Sequence, residues 1–303
     1  MSYQDDIIYH KILIEQQKNR IFNETVEIYN QLSKELKLIS SNSNSNDNLE
    51  DIIKRSQKEI DNNFVILYKD AESQLKNIAA YELSFQNAIL LNTVNYGSKK
   101  IVEKVSNELL YQTIFKDPIV GLNFIDSMSV INQSLKTDTA SAIRIGILNG
   151  ETVTQIRSRI QQKIGISTNK YNSFIRTAVQ NVTNTATQLT YEKNKDFIER
   201  YQYIAILDNR TTDICKRLNG KIFKTGQGNN PKPPQHYNCR SFTIPIFSDS
   251  DIINTTYADF ILNEDKNDKN ISFDENKNFK STNKTITIEE QRLLESKRLD
   301  RSI

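Results

Sequence analysis

The chain has no tryptophan, two cysteines, two histidines and two methionines, with only five prolines and eight glycines among its 303 residues. Each shortage excludes something. Two cysteines cannot build the disulfide framework of a small secreted domain, and in a reducing compartment they act as thiols or metal ligands. Scarce glycine and proline, with charged residues at 25%, disfavour a strand-and-turn protein and favour long helices. No stretch approaches the ~18 uninterrupted apolar residues of a membrane span. Even AAYELSFQNAILLNTV is broken by Glu, Gln and Asn. The opening MSYQDDII carries acids where a secretion signal needs positive charge, so synthesis in a cytoplasm and no membrane partner are expected. A phosphate-cradling Gly-rich loop is missing, as is an adequate cluster of carboxylates, which speaks against a P-loop ATPase and a two-metal nuclease.

What is present is patterned. Ile7, Ile14, Ile21 and Ile28 recur every seven residues, and Leu32 and Leu36 continue the stripe. After the low-complexity break SSNSNSNDN at 40–48, a second stripe runs through Ile52, Ile53, Ile60, Phe64, Leu67, Ala71, Leu75 and Ile78 at helical spacing. Two antiparallel helices joined by a polar loop are the simplest reading. Their stripes are expected to pack within the chain, because heptad occupancy is too imperfect for a coiled-coil seam. Shorter helices are expected at about 81–95 and 98–112, separated by Gly97, with chain breaks at Asp117–Pro118 and Gly121.

A second helical block follows. SLKTDTASAIRIGILNG reads as a helix closed by Asn149–Gly150. Thr152 opens a capping box, T-V-T-Q, for a helix expected to end at Gly165. Ser167 or Thr168 then caps a third helix running to about Asp196. A helix–Gly–helix of this kind resembles a DNA-binding helix-turn-helix only weakly, since the second helix offers little beyond Arg157, Arg159 and Lys163. From Ser248 the chain alternates Asn, Asp, Lys and Ser, which predicts a flexible tail. Thr287 opens another capping box there, marking a short terminal helix able to dock on a partner.

The chemistry concentrates in Ala205–Phe247. This segment holds both cysteines, one of the two histidines and four of the five prolines. Apolar runs with strand character, YIAIL and FTIPIF, flank a polar set comprising Asp208, Arg210, Cys215, His236, Cys239 and Arg240. Three readings compete. Cys215 with His236-x-x-Cys239 has spacing similar to half of a zinc ribbon, but supplies three ligands where a closed site wants four, leaving Asp208 or Asp213 as an unusual fourth. His236 with two arginines is equipment for metal-independent nucleic-acid cleavage, but the segment lacks a second acid or base. A Cys–His–Asp nucleophile is a further variant. The reading preferred is a structural polar network of Asp208, Arg210, His236, Asn238 and Arg240 that holds a small sheet together. His10, on the first helix, is read as a surface or packing residue. Although the whole chain is only +3, this segment has seven basic residues against two aspartates. Lys216, Arg217, Lys221, Lys224 and Lys232 are the candidates for contact with nucleic-acid phosphates.

The ordered pattern Asp208-x-Arg210-Thr211, Cys215, Leu218-Asn219-Gly220-Lys221-x-Phe223, then Pro233-Pro234-x-His236-x-Asn238-Cys239-Arg240, resembles the phage Mu F-like minor head proteins, the phage head morphogenesis family. Upstream, IRIGILNGETVTQIRSRI and FIRTAVQNVTNTA, with Arg176–Thr177 in the matching place, are similar to that family's helical lead-in. The resemblance spans about 134–247. It implies a low-copy, non-enzymatic protein inside the head of a tailed phage, acting at the portal vertex during procapsid assembly. The implied partners are the portal protein, a major capsid or scaffolding protein, and double-stranded DNA. Many members carry further thiols where this chain has Thr212 and Ser241 or Phe242, so no cofactor is expected. Any zinc would have to use Cys215, His236 and Cys239. Similar segments also accompany toxins, which keeps nucleic-acid cleavage by His236 as the alternative.

The expected architecture is α+β: a helical N-terminal region at 1–133, a helical lead-in at 134–199, a small antiparallel β module at 200–247 and a flexible tail at 248–303.

Overall fold

A computed structural model describes residues 3–41, 49–93 and 102–247. Within them the chain forms α1 (Tyr3–Ser41), α2 (Leu49–Thr93), α3 (Asn107–Lys116), α4 (Phe124–Leu148), α5 (Val153–Lys193), β1 (Arg200–Ile204), α6 (Asp213–Leu218), β2 (Ile222–Lys224) and β3 (Phe242–Ile246). The class is α+β, as expected, with helix predominating. The tail from Ser248, its terminal helix, Gly97 and most of the 40–48 break lie outside the described residues.

The two apolar stripes do what their spacing implies. Ile7, Ile14, Ile21, Leu32 and Leu36 of α1 are buried, as are Ile53, Ile60, Leu67, Ala71, Leu75 and Ile78 of α2. The helices run antiparallel: His10 meets Glu82 at one end, and Glu35 accepts a hydrogen bond from Asn63 at the other. No described helix is long and apolar enough to cross a membrane.

Several expected boundaries are displaced. α2 does not stop near 78 to begin again at 81; it continues to Thr93 because Ala79, Ala80, Leu83, Phe85, Ile89 and Leu90 keep its buried face unbroken. α3 starts at Asn107, where the Ser106 side chain accepts the Leu109 N–H at 3.2 Å, and ends at Lys116 ahead of Pro118. α4 begins at Phe124, capped by Asn123, so it runs through the expected boundary at residue 134. It ends at Leu148 with Asn149 as its cap, followed by Gly150 at φ +68°, the left-handed position that glycine takes without strain.

The capping box at Thr152 forms, but α5 then runs 41 residues without a break. Gly165 costs a helix interior about 1 kcal/mol relative to alanine. Burial of Ile160, Ile164, Ser167 and Tyr171 on either side of it offsets that cost. The helix-turn-helix reading falls with this result, since the segment after Asn149–Gly150 is the first part of a long core helix. α5 packs against α1, α2, α3, α4 and β3, and is the central element of the fold.

The sheet has the order β2-β1-β3, with both pairings antiparallel. β1 starts at Arg200, a few residues earlier than YIAIL suggests, and places Tyr201 and Tyr203 in the interior. β3 is an edge strand, and its outward backbone groups are met by side chains from the helices. Gln180 Nε2 donates to the Ser241 carbonyl at 2.6 Å, and Tyr191 Oη donates to the Thr243 carbonyl at 3.2 Å. Gln188 Nε2 reaches Thr243 Oγ1 at 3.0 Å, and Tyr3 Oη reaches the Pro245 carbonyl at 3.3 Å. Proline is tolerated in such a strand because one side lacks a ladder partner.

A buried ionic group joins α1, α2 and α5. Glu82 is fully buried and accepts from Lys11 Nζ at 2.7 Å, His10 Nε2 at 3.0 Å, Gln86 Nε2 at 2.7 Å and Thr187 Oγ1 at 2.9 Å. His10 is therefore a core residue and not a surface one; its ring stacks on Phe85 at a centroid distance of 3.6 Å. Burial pushes the His10 pKa below its ordinary 6.5. Burial also works to raise the Glu82 pKa, but Lys11 and His10 outweigh it and hold the carboxyl well below the usual range.

Glu82→Ala should therefore destabilise the protein by about 3–5 kcal/mol in urea unfolding at neutral pH, by leaving buried Lys11 uncompensated. Both folded-state pKa values are depressed, so the unfolded chain binds more protons in acid. Wild-type stability should fall as pH drops below 6.5, through His10, and again below 4.5, through Glu82. The second decline should be weaker in the variant.

Candidate functional site

The polar residues of the β module are brought close together, but not as one network. They separate into two clusters and a dock. The first is built on the turn after β1. Asp208 Oδ1 accepts the Arg210 N–H at 2.9 Å, Thr211 Oγ1 accepts the Asp208 N–H at 2.8 Å, and the Thr211 hydroxyl donates to the Ile206 carbonyl at 2.5 Å. Short polar side chains at these spacings close turns in this way. Arg240, just before β3, grips the carboxylate with two bonds, Nη1 to Oδ2 at 2.8 Å and Nη2 to Oδ1 at 2.6 Å. Arg240 and then the Arg210 backbone hold the Asp208 carboxyl far below the usual carboxylate range. Arg210 itself is marginal to this clasp: its guanidinium lies 3.5 Å from Asp208 and is 71% exposed.

His236 belongs to the second cluster, contrary to the expected network. Its Nε2 lies 3.2 Å from Cys215 Sγ, and the two sulfurs of Cys215 and Cys239 are 3.8 Å apart. Cys215 is carried by the short helix α6, while His236 and Cys239 come from one turn in which the Cys239 N–H donates to the His236 carbonyl at 3.2 Å. Both cysteines are buried and form no disulfide. The hydroxyl of buried Tyr203 is 3.6 Å from Cys215 Sγ. Burial works to raise the Cys215 pKa, but hydrogen bonding, led by Ser241 and Tyr203, prevails and brings the thiol to about 7. Burial pushes the Cys239 thiol upward. Around the sulfurs the apolar cluster is small: Tyr203 and Ala205, with Leu218 and Phe223 partly buried against it.

Asn238 forms the dock. Its backbone is left-handed at φ +58°, a conformation asparagine tolerates better than most residues. That turn directs its N–H to Thr177 Oγ1 at 2.9 Å and its Nδ2 to Ser173 Oγ at 2.8 Å, both on α5. Arg176, beside Thr177, instead reaches Asn19 on α1 at 2.7 Å.

The basic candidates do not share one environment. Lys216, Arg217, Lys221 and Lys224 are exposed along α6 and β2, with Lys216 Nζ 3.6 Å from Asp213. Lys232 is tied to Glu192 of α5 at 2.8 Å. The sequence reading assigned no role to Tyr203, or to Asn219 beyond its place in the family pattern; the Asn219 Oδ1 accepts the Ala205 N–H at 2.9 Å. It also missed Ser173, Gln180, Gln188 and Tyr191. The available signal was a polar row on α5 at three- and four-residue spacing, Ser173, Thr177, Gln180, Asn184, Gln188 and Tyr191.

Residues 137–244 match the family model described as phage Mu protein F like protein. The match takes in the later part of α4, all of α5, β1, α6 and β2, and β3 as far as Ile244, and leaves α1, α2 and α3 outside it. No curated protein and no solved structure matches the chain.

The geometry ranks the two arginines. Arg210→Ala should change unfolding free energy by less than about 0.5 kcal/mol, as exposed substitutions do. Arg240→Ala, which removes both arms of the clasp, should lower the urea midpoint clearly more. Equal effects in paired denaturation curves would contradict the bidentate arrangement.

Proposed function

We propose that this chain is a minor head protein of a tailed bacteriophage, acting without catalysis in procapsid assembly at the portal vertex and lying inside the capsid. The match of residues 137–244 to the phage Mu protein F like family carries this reading. The helices around the matched segment support it, because they give the β module a rigid mounting. The proposed partners are the portal protein and a major capsid or scaffolding protein, with packaged double-stranded DNA as a weaker contact.

The DNA contact rests on Lys216, Arg217, Lys221 and Lys224, which share one exposed stretch. Lys232 is left out because Glu192 holds it. Four phosphate contacts would give sequence-independent binding with a log–log salt slope no steeper than about −4. The cleavage alternative needs His236 to exchange protons with a substrate. Its two ring nitrogens are instead directed to Cys215 and to the Tyr237 carbonyl.

Three measurements test the reading. In gradients of head precursors assembled with the portal and capsid proteins, this chain should sediment with procapsids and cross-link to the portal; its absence from the particles would refute the assignment. Incubation with RNA and DNA should leave both intact, whereas cleavage abolished by His236→Ala would establish the enzymatic alternative. Filter binding to duplex DNA at several salt concentrations, repeated with the four basic residues changed to Ser, should show binding lost in the variant. Binding untouched by those changes would remove DNA from this surface.

A further inference from the structure

We propose that Cys215, His236 and Cys239 form a binding site for a thiophilic divalent cation of the zinc class, held by two thiolates and one imidazole. This site is independent of the head-protein reading and stands whether or not that reading holds. It reverses the expectation of no cofactor, which rested on counting thiols in the sequence.

Three observations carry it. The first is convergence: the two Sγ atoms and a His236 ring nitrogen all lie within 4.8 Å of one another, although α6 and the turn after Pro234 supply them separately. The second is spacing. Two sulfurs bound at ~2.3 Å to one tetrahedral ion stand about 3.8 Å apart, and a sulfur and an imidazole nitrogen about 3.6 Å. The sulfurs here are 3.8 Å apart, and Cys215 Sγ to His236 Nε2 is 3.2 Å, so a ligand shell would form with little movement. The third is the histidine tautomer. His236 Nδ1 lies 2.8 Å from the Tyr237 carbonyl, an acceptor only, so Nδ1 carries the proton and the Nε2 lone pair faces the sulfurs. A ring whose far N–H is fixed by a carbonyl is how metal-ligating histidines are oriented.

The neighbouring carboxylates do not complete the set. Asp208 is engaged by Arg240, and Asp213 is 84% exposed beside Lys216. Among the described residues the group therefore has three donors, and His236, half-buried, opens its side toward solvent. A water molecule would supply the fourth ligand. On binding, the two S–H protons leave to solvent, both cysteines become thiolates, and no electron is transferred. The ion would link α6 to the 236–239 turn where the surrounding apolar cluster is small.

The test uses the full chain, purified reduced and without a polyhistidine tag. After removal of metal by a chelator it is dialysed against zinc or, separately, cobalt(II). The expected result is one zinc per chain by elemental analysis. The cobalt form should show a thiolate charge-transfer band in the near ultraviolet and the intense visible bands of a tetrahedral ion. Zinc should also raise the melting temperature by several degrees. His236→Ala should weaken binding by more than about 100-fold, since even outer-shell losses cost 10–100-fold. His236→Cys should restore it, which separates lost ligation from a general folding defect. Trace zinc with two titratable thiols per chain would overturn the proposal. So would a Cys215–Cys239 disulfide formed under reducing purification, or cobalt bound without the charge-transfer band.

Discussion

The outer edge of β3 lies against α5, and backbone groups on a buried sheet edge must find partners or cost the fold several hydrogen bonds' worth of desolvation. The partners are side chains of the helix, Gln180 and Asn184 on the Ser241 carbonyl and Tyr191 on the Thr243 carbonyl, and Gln188 adds a bond to the Thr243 side chain. The remaining organisation depends on this join. It fixes where β3 starts, and so where Arg240 and Cys239 stand relative to Asp208 and Cys215. Asn238 extends the same join one turn back along α5, through Thr177 and Ser173. The clasp and the thiol cluster are thus positioned by a helix that contributes no residue to either.

The interior of the helical half is polar in an equally selective way. Lys18 is almost wholly buried yet donates to Gln180 Oε1 at 2.5 Å, so the residue that serves β3 through its amide nitrogen also serves α1 through its oxygen. Burial lowers the Lys18 pKa. Glu82 similarly ties α1 to α5 through Lys11 and Thr187. Removing a member of such a group exposes its partners to an apolar interior, which makes the packing of α1 on α5 specific as well as tight. The family match begins within α4, but the matched segment is held in part by residues that precede it.

Much of this was legible in the sequence because periodicity reports burial directly. The stripes of α1 and α2, the Asn149–Gly150 stop and the Thr152 capping box were all readable. Gly165 was misread because a glycine's local cost says nothing of the burial on either side of it. The helix restart after Ile78 was imagined where no breaking residue stands. His236 was assigned to the wrong cluster for a deeper reason. Asp208 and Cys215 lie in one stretch of sequence and His236, Cys239 and Arg240 in another, but which pairs meet depends on α6 carrying Cys215 inward and on the turn that holds His236, left-handed Asn238 and Cys239. Neither is encoded by spacing. The polar row on α5 was visible but had no recognisable target until the edge of β3 was placed beside it.

An uninterrupted α5 of 41 residues is about 60 Å long at 1.5 Å per residue. One end carries the tight Asn149–Thr152 turn, and the β module lies along the opposite half, bonded from Ser173 to Tyr191. A rod of that length acts as a ruler. Two bodies that touched the two ends would be held at a set separation, and an insertion of seven residues would move them about 10 Å apart while nearly preserving which face each one meets. Gly165, although uncapped and exposed, lies inside that rod and leaves its span intact.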